Sequence, residues 1–90
     1  MKPRITISLS PDGSFEIHLN EMGRDLLVRE LLQLSEKNDH FHLGPSERDE
    51  VQLSSRAYRT NDKILEYGKI LFQPDSWDEK YFPHVLGDPN

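Results

Sequence analysis

The chain opens with two runs in which apolar and polar residues strictly alternate. Ile5, Ile7 and Leu9 are interleaved with Thr6 and Ser8, and Phe15, Ile17 and Leu19 with Glu16 and His18. Alternation of this kind marks a strand with one face buried. Between the runs lies Ser10-Pro11-Asp12-Gly13. Proline presets the second position of a type I turn, and glycine supplies the left-handed residue that follows. The pattern predicts a β-hairpin over residues 4–19. The turn fixes its register, with Leu9 opposite Phe15, Ile7 opposite Ile17 and Ile5 opposite Leu19. Three apolar pairs then line one face, while Ser8–Glu16 and Thr6–His18 line the other. A slip of one residue would exchange the faces, so the register is strongly specified.

The period then changes to that of a helix, expected over residues 21–37 with Asn20 as its N-cap. At about 100° per residue, Leu27, Val28, Leu31, Leu32 and Leu34 share one arc. Asp25, Arg29, Glu30, Gln33, Glu36 and Lys37 fall opposite. Asn38-Asp39 ends the helix, and His40-Phe41-His42-Leu43 reads as a strand. Phe41 and Leu43 should face the helix, and His40 and His42 should face away. Gly44-Pro45-Ser46 breaks this strand. Val51 and Leu53 begin another that runs toward Tyr58, and residues 64–72 form the last, with Gly68 at a bulge. The expected fold is α+β, of order ββαβββ: a mostly antiparallel sheet with one amphipathic helix packed on a single face. Roughly seventeen apolar side chains should point inward, at about 2 kcal/mol each before chain entropy is subtracted.

This pattern assigns residues 1–73 to an α+β domain and sets residues 74–90 apart. The second segment holds three of the six prolines, which prevents a long helix or a central strand. It also carries Trp77, Tyr81, Phe82, Val85 and Leu86. So many large apolar groups are expected to dock, across the chain's own domain or on a partner. Both a monomer and a homodimer fit this expectation.

Composition narrows the function. The 90 residues contain no cysteine, which excludes disulfides and thiolate metal sites. No apolar run is long enough to span a membrane. Ser8, Ser10, Asp12 and Gly13 interrupt the first apolar stretch too early for a signal peptide, so a cytoplasmic location is expected. The net charge of −5 argues against a nucleic-acid partner and suits a basic protein partner. No nucleophile elbow, phosphate-cradling glycine loop or metalloprotease motif is present. A non-enzymatic, cofactor-free protein is expected.

The remaining chemistry lies in the histidines. His40 and His42 share a strand face and could offer two imidazoles to one metal ion, with His18, Glu16 or Asp39 as a third ligand. A metal-binding or hydrolytic protein built on His18, His40 and His42 is therefore the alternative reading. In the leading reading these histidines belong to a polar sheet face shared with Thr6, Ser8, Glu16 and Gln52, open for a partner on an antiparallel sheet. The expected partner-binding residues are His18, His40, His42 and Glu16, joined by Trp77, Tyr81 and Phe82 of the tail.

The order of elements, with a leucine-rich helix leading into Lys37-Asn38-Asp39-His40-Phe41-His42-Leu43, resembles the Imm32-type immunity proteins of bacterial polymorphic toxin systems. The resemblance covers residues 4–72. It departs from the family at Pro45-Ser46-Glu47-Arg48-Asp49-Glu50, where a glycine-richer segment would be expected, and the tail from Pro74 has no counterpart. It implies a cytoplasmic protein that binds and neutralises a cognate toxin.

Overall fold

The structure is a computed structural model that describes residues 2–87. Its elements run β1 (Ile5–Leu9), β2 (Phe15–Leu19), α1 (Glu21–Leu32), β3 (His40–Gly44), β4 (Val51–Gln52), β5 (Lys63–Ile64), β6 (Gly68–Leu71) and α2 (Asp75–Tyr81), then a 3-10 turn, Pro83–Leu86. The fold is α+β and broadly follows the ββαβββ order. The strands, however, form two three-stranded sheets, ordered β2-β1-β5 and β4-β3-β6.

The hairpin has the register its sequence predicts, with Ile5, Ile7 and Leu9 opposite Leu19, Ile17 and Phe15. Gly13 takes a φ of +92°, the left-handed conformation the turn requires. The Asp12 carboxylate accepts from the Ser10 and Ser14 hydroxyls and from the Ser14 N–H. Those bonds, the Ser10 hydroxyl first, hold its pKa down at about 2.

Asn20 caps α1 as expected. Its Oδ1 accepts from the Gly23 N–H at 2.7 Å and from the Arg4 N–H at 2.8 Å. Its amide nitrogen donates to the Lys2 carbonyl at 2.8 Å. The helix is shorter than predicted and ends at Leu32 rather than at residue 37. Beyond it the Ser35 hydroxyl accepts from the N–H groups of Lys37 and Asn38, and the Asn38 amide donates to the Gln33 carbonyl. These side chains offer the backbone an alternative to another helical turn.

The helix is also rotated from its expected phase. Gly23 is buried, and Leu26, Leu27 and Leu34 pack on the core. Val28 and Leu31 are exposed, and Leu32 is 81% exposed. Gly23 supplies the reason: a Cβ there would lie 2.4 Å from the Arg4 carbonyl oxygen and 2.9 Å from Ile5 Cγ1. Backbone meets backbone at Gly23, and that contact selects the face α1 buries.

In the second sheet β3 pairs antiparallel with β6, placing His40 opposite Leu71, Phe41 opposite Ile70, His42 opposite Lys69 and Leu43 opposite Gly68. β3 pairs parallel with β4 after only a short loop, whereas a parallel partner ordinarily needs a long crossover. The loop folds inward at Gly44, where a Cβ would collide with the Asp49 carboxylate. The strand expected over residues 64–72 is two strands, β5 and β6, one in each sheet, and Gly68 begins the second rather than forming a bulge.

The core is smaller than the pattern suggests. Ile5, Phe41, Leu43, Val51 and Leu53 are the buried apolar residues, with Ile7, Leu26, Leu27, Leu34 and Ile70 packed partly against them. Fourteen large apolar side chains of the described residues are exposed. The molecule measures 45 × 32 × 20 Å, and its 15.6 Å radius of gyration exceeds the roughly 12 Å usual for this length.

Candidate functional site

The expected polar sheet face does not exist as one surface. On the first sheet Thr6 and Ser8 are fully buried, not wet. The chain after β4 runs along the side of β1 away from β2, ahead of and beside β5, where the Ser54 and Leu65 N–H groups donate to the Ile5 and Ile7 carbonyls at 2.8 and 2.9 Å. Ser54, Arg56, Ala57 and Tyr58 line a groove beside Thr6. Tyr58 stacks on His18, with ring centroids 4.1 Å apart. Arg59 donates to Glu16 and, at 3.0 Å, to Asp62. Glu16 also meets His18 Nε2 at 3.2 Å. Arg59, chiefly through its hydrogen bond, holds the Glu16 carboxyl below the usual carboxylate range. The same bond pushes the Arg59 guanidinium pKa up. Glu16 and His18 are thus engaged within the chain.

Covering this face leaves the Thr6 and Ser8 hydroxyls buried without a hydrogen-bond partner. The opposite face of β2, expected in the core, is open. Phe15, Ile17 and Leu19 are 66%, 47% and 40% exposed. The helix, seated on β1 through Gly23, does not cover them.

The second sheet keeps the expected orientation. Phe41 and Leu43 are buried, and His40 and His42 point outward. Their rings meet edge to face at 5.0 Å. Nδ1 of His40 lies 2.7 Å from Asp39, and Nδ1 of His42 lies 3.5 Å from Glu50. Glu50 is held below the usual carboxylate range, first by a hydrogen bond from its own backbone N–H and then by His42. Lys69 and Leu71 of β6 share this face by register. Tyr67 stands beside them, and His42, Leu43, Asp49, Tyr67, Gly68 and Lys69 line a cavity of about 300 Å³. Tyr67, Lys69 and Leu71 were not picked out by sequence reasoning. Their signal was the alternation of Lys69 with Ile70 and Leu71 with Phe72, usable only once β6 is known to pair with β3.

His18 therefore belongs to the first sheet, and His40 and His42 to the second. Among the described residues no three metal-ligating side chains gather into a potential metal site. The histidine trio of the alternative reading is not brought together.

The tail leaves from the His40 end of the second sheet, where the Phe72 N–H donates to the Asp39 carbonyl at 2.6 Å. It forms α2 and the 3-10 turn, short elements consistent with its prolines. Trp77 is half-buried and meets Phe72 edge to face at 6.5 Å. Asp78 is buried and accepts from the Gln73 amide at 3.0 Å. Tyr81 and Phe82 are exposed, as are Val85 and Leu86. No helix among the described residues is long and apolar enough to cross a membrane. No family model matches the chain, and neither a curated protein nor a solved structure is similar to it.

Proposed function

We propose that this chain is a small, non-catalytic protein-binding module of the immunity type. In this reading it acts in the cytoplasm, where it captures and neutralises a cognate toxin domain. The observation that carries the reading is the outer face of the second sheet. His40 and His42 of β3, Lys69 and Leu71 of β6 and the adjoining Tyr67 are all exposed there, while Phe41 and Leu43 on the inner side of β3 are buried. Aromatic and imidazole groups on a rigid sheet give a partner both contact area and directional hydrogen bonds. Tyr81 and Phe82 are also exposed, in the tail that leaves the sheet at the end where His40 lies. Among the described residues, a core of five buried apolar side chains set against fourteen exposed large ones adds support, because an apolar surface on this scale gains from being covered. The acidic net charge suits a basic partner, and the resemblance at residues 37–43 supplies the toxin as that partner.

The test is binding to a toxin-type protein encoded next to this chain, measured by calorimetry. A tight one-to-one complex is expected. The double variants His40→Ala/His42→Ala and Tyr81→Ala/Phe82→Ala should each weaken it by about tenfold or more while leaving the midpoint of unfolding in place. Absence of a complex, or full affinity in both variants, would refute the reading.

A further inference from the structure

The open edge of β2 has a property that neither the second sheet nor the tail shares: it is complementary to itself. β2 ends the first sheet and has β1 on one side only. The Ser10 N–H donates to the Ser14 carbonyl, and the Asn20 N–H to the Arg4 carbonyl. In an antiparallel ladder these bonds alternate. The N–H and C=O groups of residues 14, 16, 18 and 20 therefore turn toward β1, and those of Phe15, Ile17 and Leu19 toward the open edge. The residues with free backbone groups are thus the ones with exposed apolar side chains, at 66%, 47% and 40%. Three of the devices that usually blunt an edge are missing here, since β2 has no lysine, proline or bulge.

We propose that a second copy of this chain pairs with it here, β2 against β2, antiparallel about a two-fold axis at Ile17. This register satisfies every level of the strand at once. Ile17 meets its own counterpart, and Phe15 meets Leu19 of the second copy. All three pairs are of the hydrogen-bonded kind, because these are the residues whose backbone groups face outward, and they form about six inter-chain bonds. On the other face Glu16 lies opposite His18 of the second copy, and His18 opposite its Glu16. An acidic and a basic group thus meet twice, in the closer, non-hydrogen-bonded pairs. A shift by two residues would leave Phe15 or Leu19 without an apolar neighbour. A parallel arrangement would not close a two-fold dimer.

The two first sheets become one sheet of six strands, ordered β5-β1-β2-β2-β1-β5. The groove lined by Ile17, Leu19, Asn20, Glu21 and Arg24 beside β2 lies on the same apolar face and is partly filled by the second copy's Phe15. The outer face of the second sheet takes no part, so the dimer carries two copies of it. The pairing does not depend on the proposed immunity role.

Sedimentation equilibrium of the full chain and amide hydrogen exchange test the pairing together. A reversible dimer is expected, with the amides of Phe15, Ile17 and Leu19 protected as the protein concentration rises. Ile17→Lys sets two like charges opposite each other on the axis and should raise the dimer Kd by about tenfold or more. Because Ile17 is already half exposed, the variant monomer should stay folded. Ile17→Thr, which keeps the β-branch but loses apolar area, should weaken the dimer less. A monomer at millimolar concentration overturns the proposal. So does a dimer in which these three amides exchange freely, or one that Tyr81→Ala/Phe82→Ala dissociates and Ile17→Lys does not.

Discussion

β2 and β3 are both five-residue strands with strict alternation, and the fold uses them in opposite ways. In β3 the apolar residues are inside, with Phe41 and Leu43 almost fully buried, and the polar ones are outside. In β2 the apolar row is the more exposed, and the polar row is covered by Tyr58 and Arg59. Alternation states which residues share a face. It does not state which face meets the core, because that depends on which neighbouring element reaches the strand first. For β3 the helix and β1 get there. For β2 a segment without periodicity takes the polar side, and Gly23 draws the helix toward β1.

The sharpest way to break this contrast is to delete the same ring from each strand. Phe41→Ala should cost about 3–5 kcal/mol, since it empties the centre of the core. Phe15→Ala, in protein dilute enough to be monomeric, should cost less than about 0.5 kcal/mol. Chemical denaturation measures both, and similar losses would mean that β2 also faces a core. The helix phase gives the next largest effect. Leu27→Ala should cost about 2 kcal/mol and Leu32→Ala almost nothing. The reverse order would restore the face predicted from the leucines alone.

The covered polar row makes an opposite prediction. Thr6 Oγ1 is buried and unpaired, so Thr6→Val removes an unsatisfied hydroxyl at nearly constant shape. Stability should stay level or rise by about 1 kcal/mol. A loss of that size would show that the hydroxyl has a partner. The smallest effect concerns acid. Asp12 and Glu16 both have folded-state pKa values below their unfolded ones. Their contribution is complete above the unfolded values and is lost as pH falls through the folded ones, for Asp12 from about 4 toward about 2. Asp12→Asn should flatten the decline in urea midpoint over that range. An unchanged acid slope would remove Asp12 from the account.

What the sequence made legible follows the same division. The hairpin register could be read because turn chemistry and alternation both specify it. The outward direction of His40 and His42 could be read because Phe41 and Leu43 have an evident use inside. The two-sheet arrangement could not, because residues 64–72 look continuous and only pairing separates Ile64 from Ile70. The parallel pairing of β3 with β4 leaves no periodic trace in two residues. The engagement of His18 and Glu16 was hidden for a different reason: Tyr58 and Arg59 lie in a stretch with no pattern to follow. Gly23 was a usable signal, since glycine early in a helix is unfavourable unless a close approach requires it.

Asn20 has a consequence for the order in which the chain assembles. Its side chain bonds at once to Lys2, Arg4 and Gly23. The helix start is therefore fully capped only after the first strand has come back beside the second. Nucleating a short helix is costly, so the closed hairpin acts as the template that lowers the barrier for α1, and a loop closed by few residues is quick to form. Asn20→Ala should then act on the rate of folding more than on the rate of unfolding, giving a φ-value well above one half at this position. A variant that mainly unfolds faster would mean that hairpin and helix form independently and meet late.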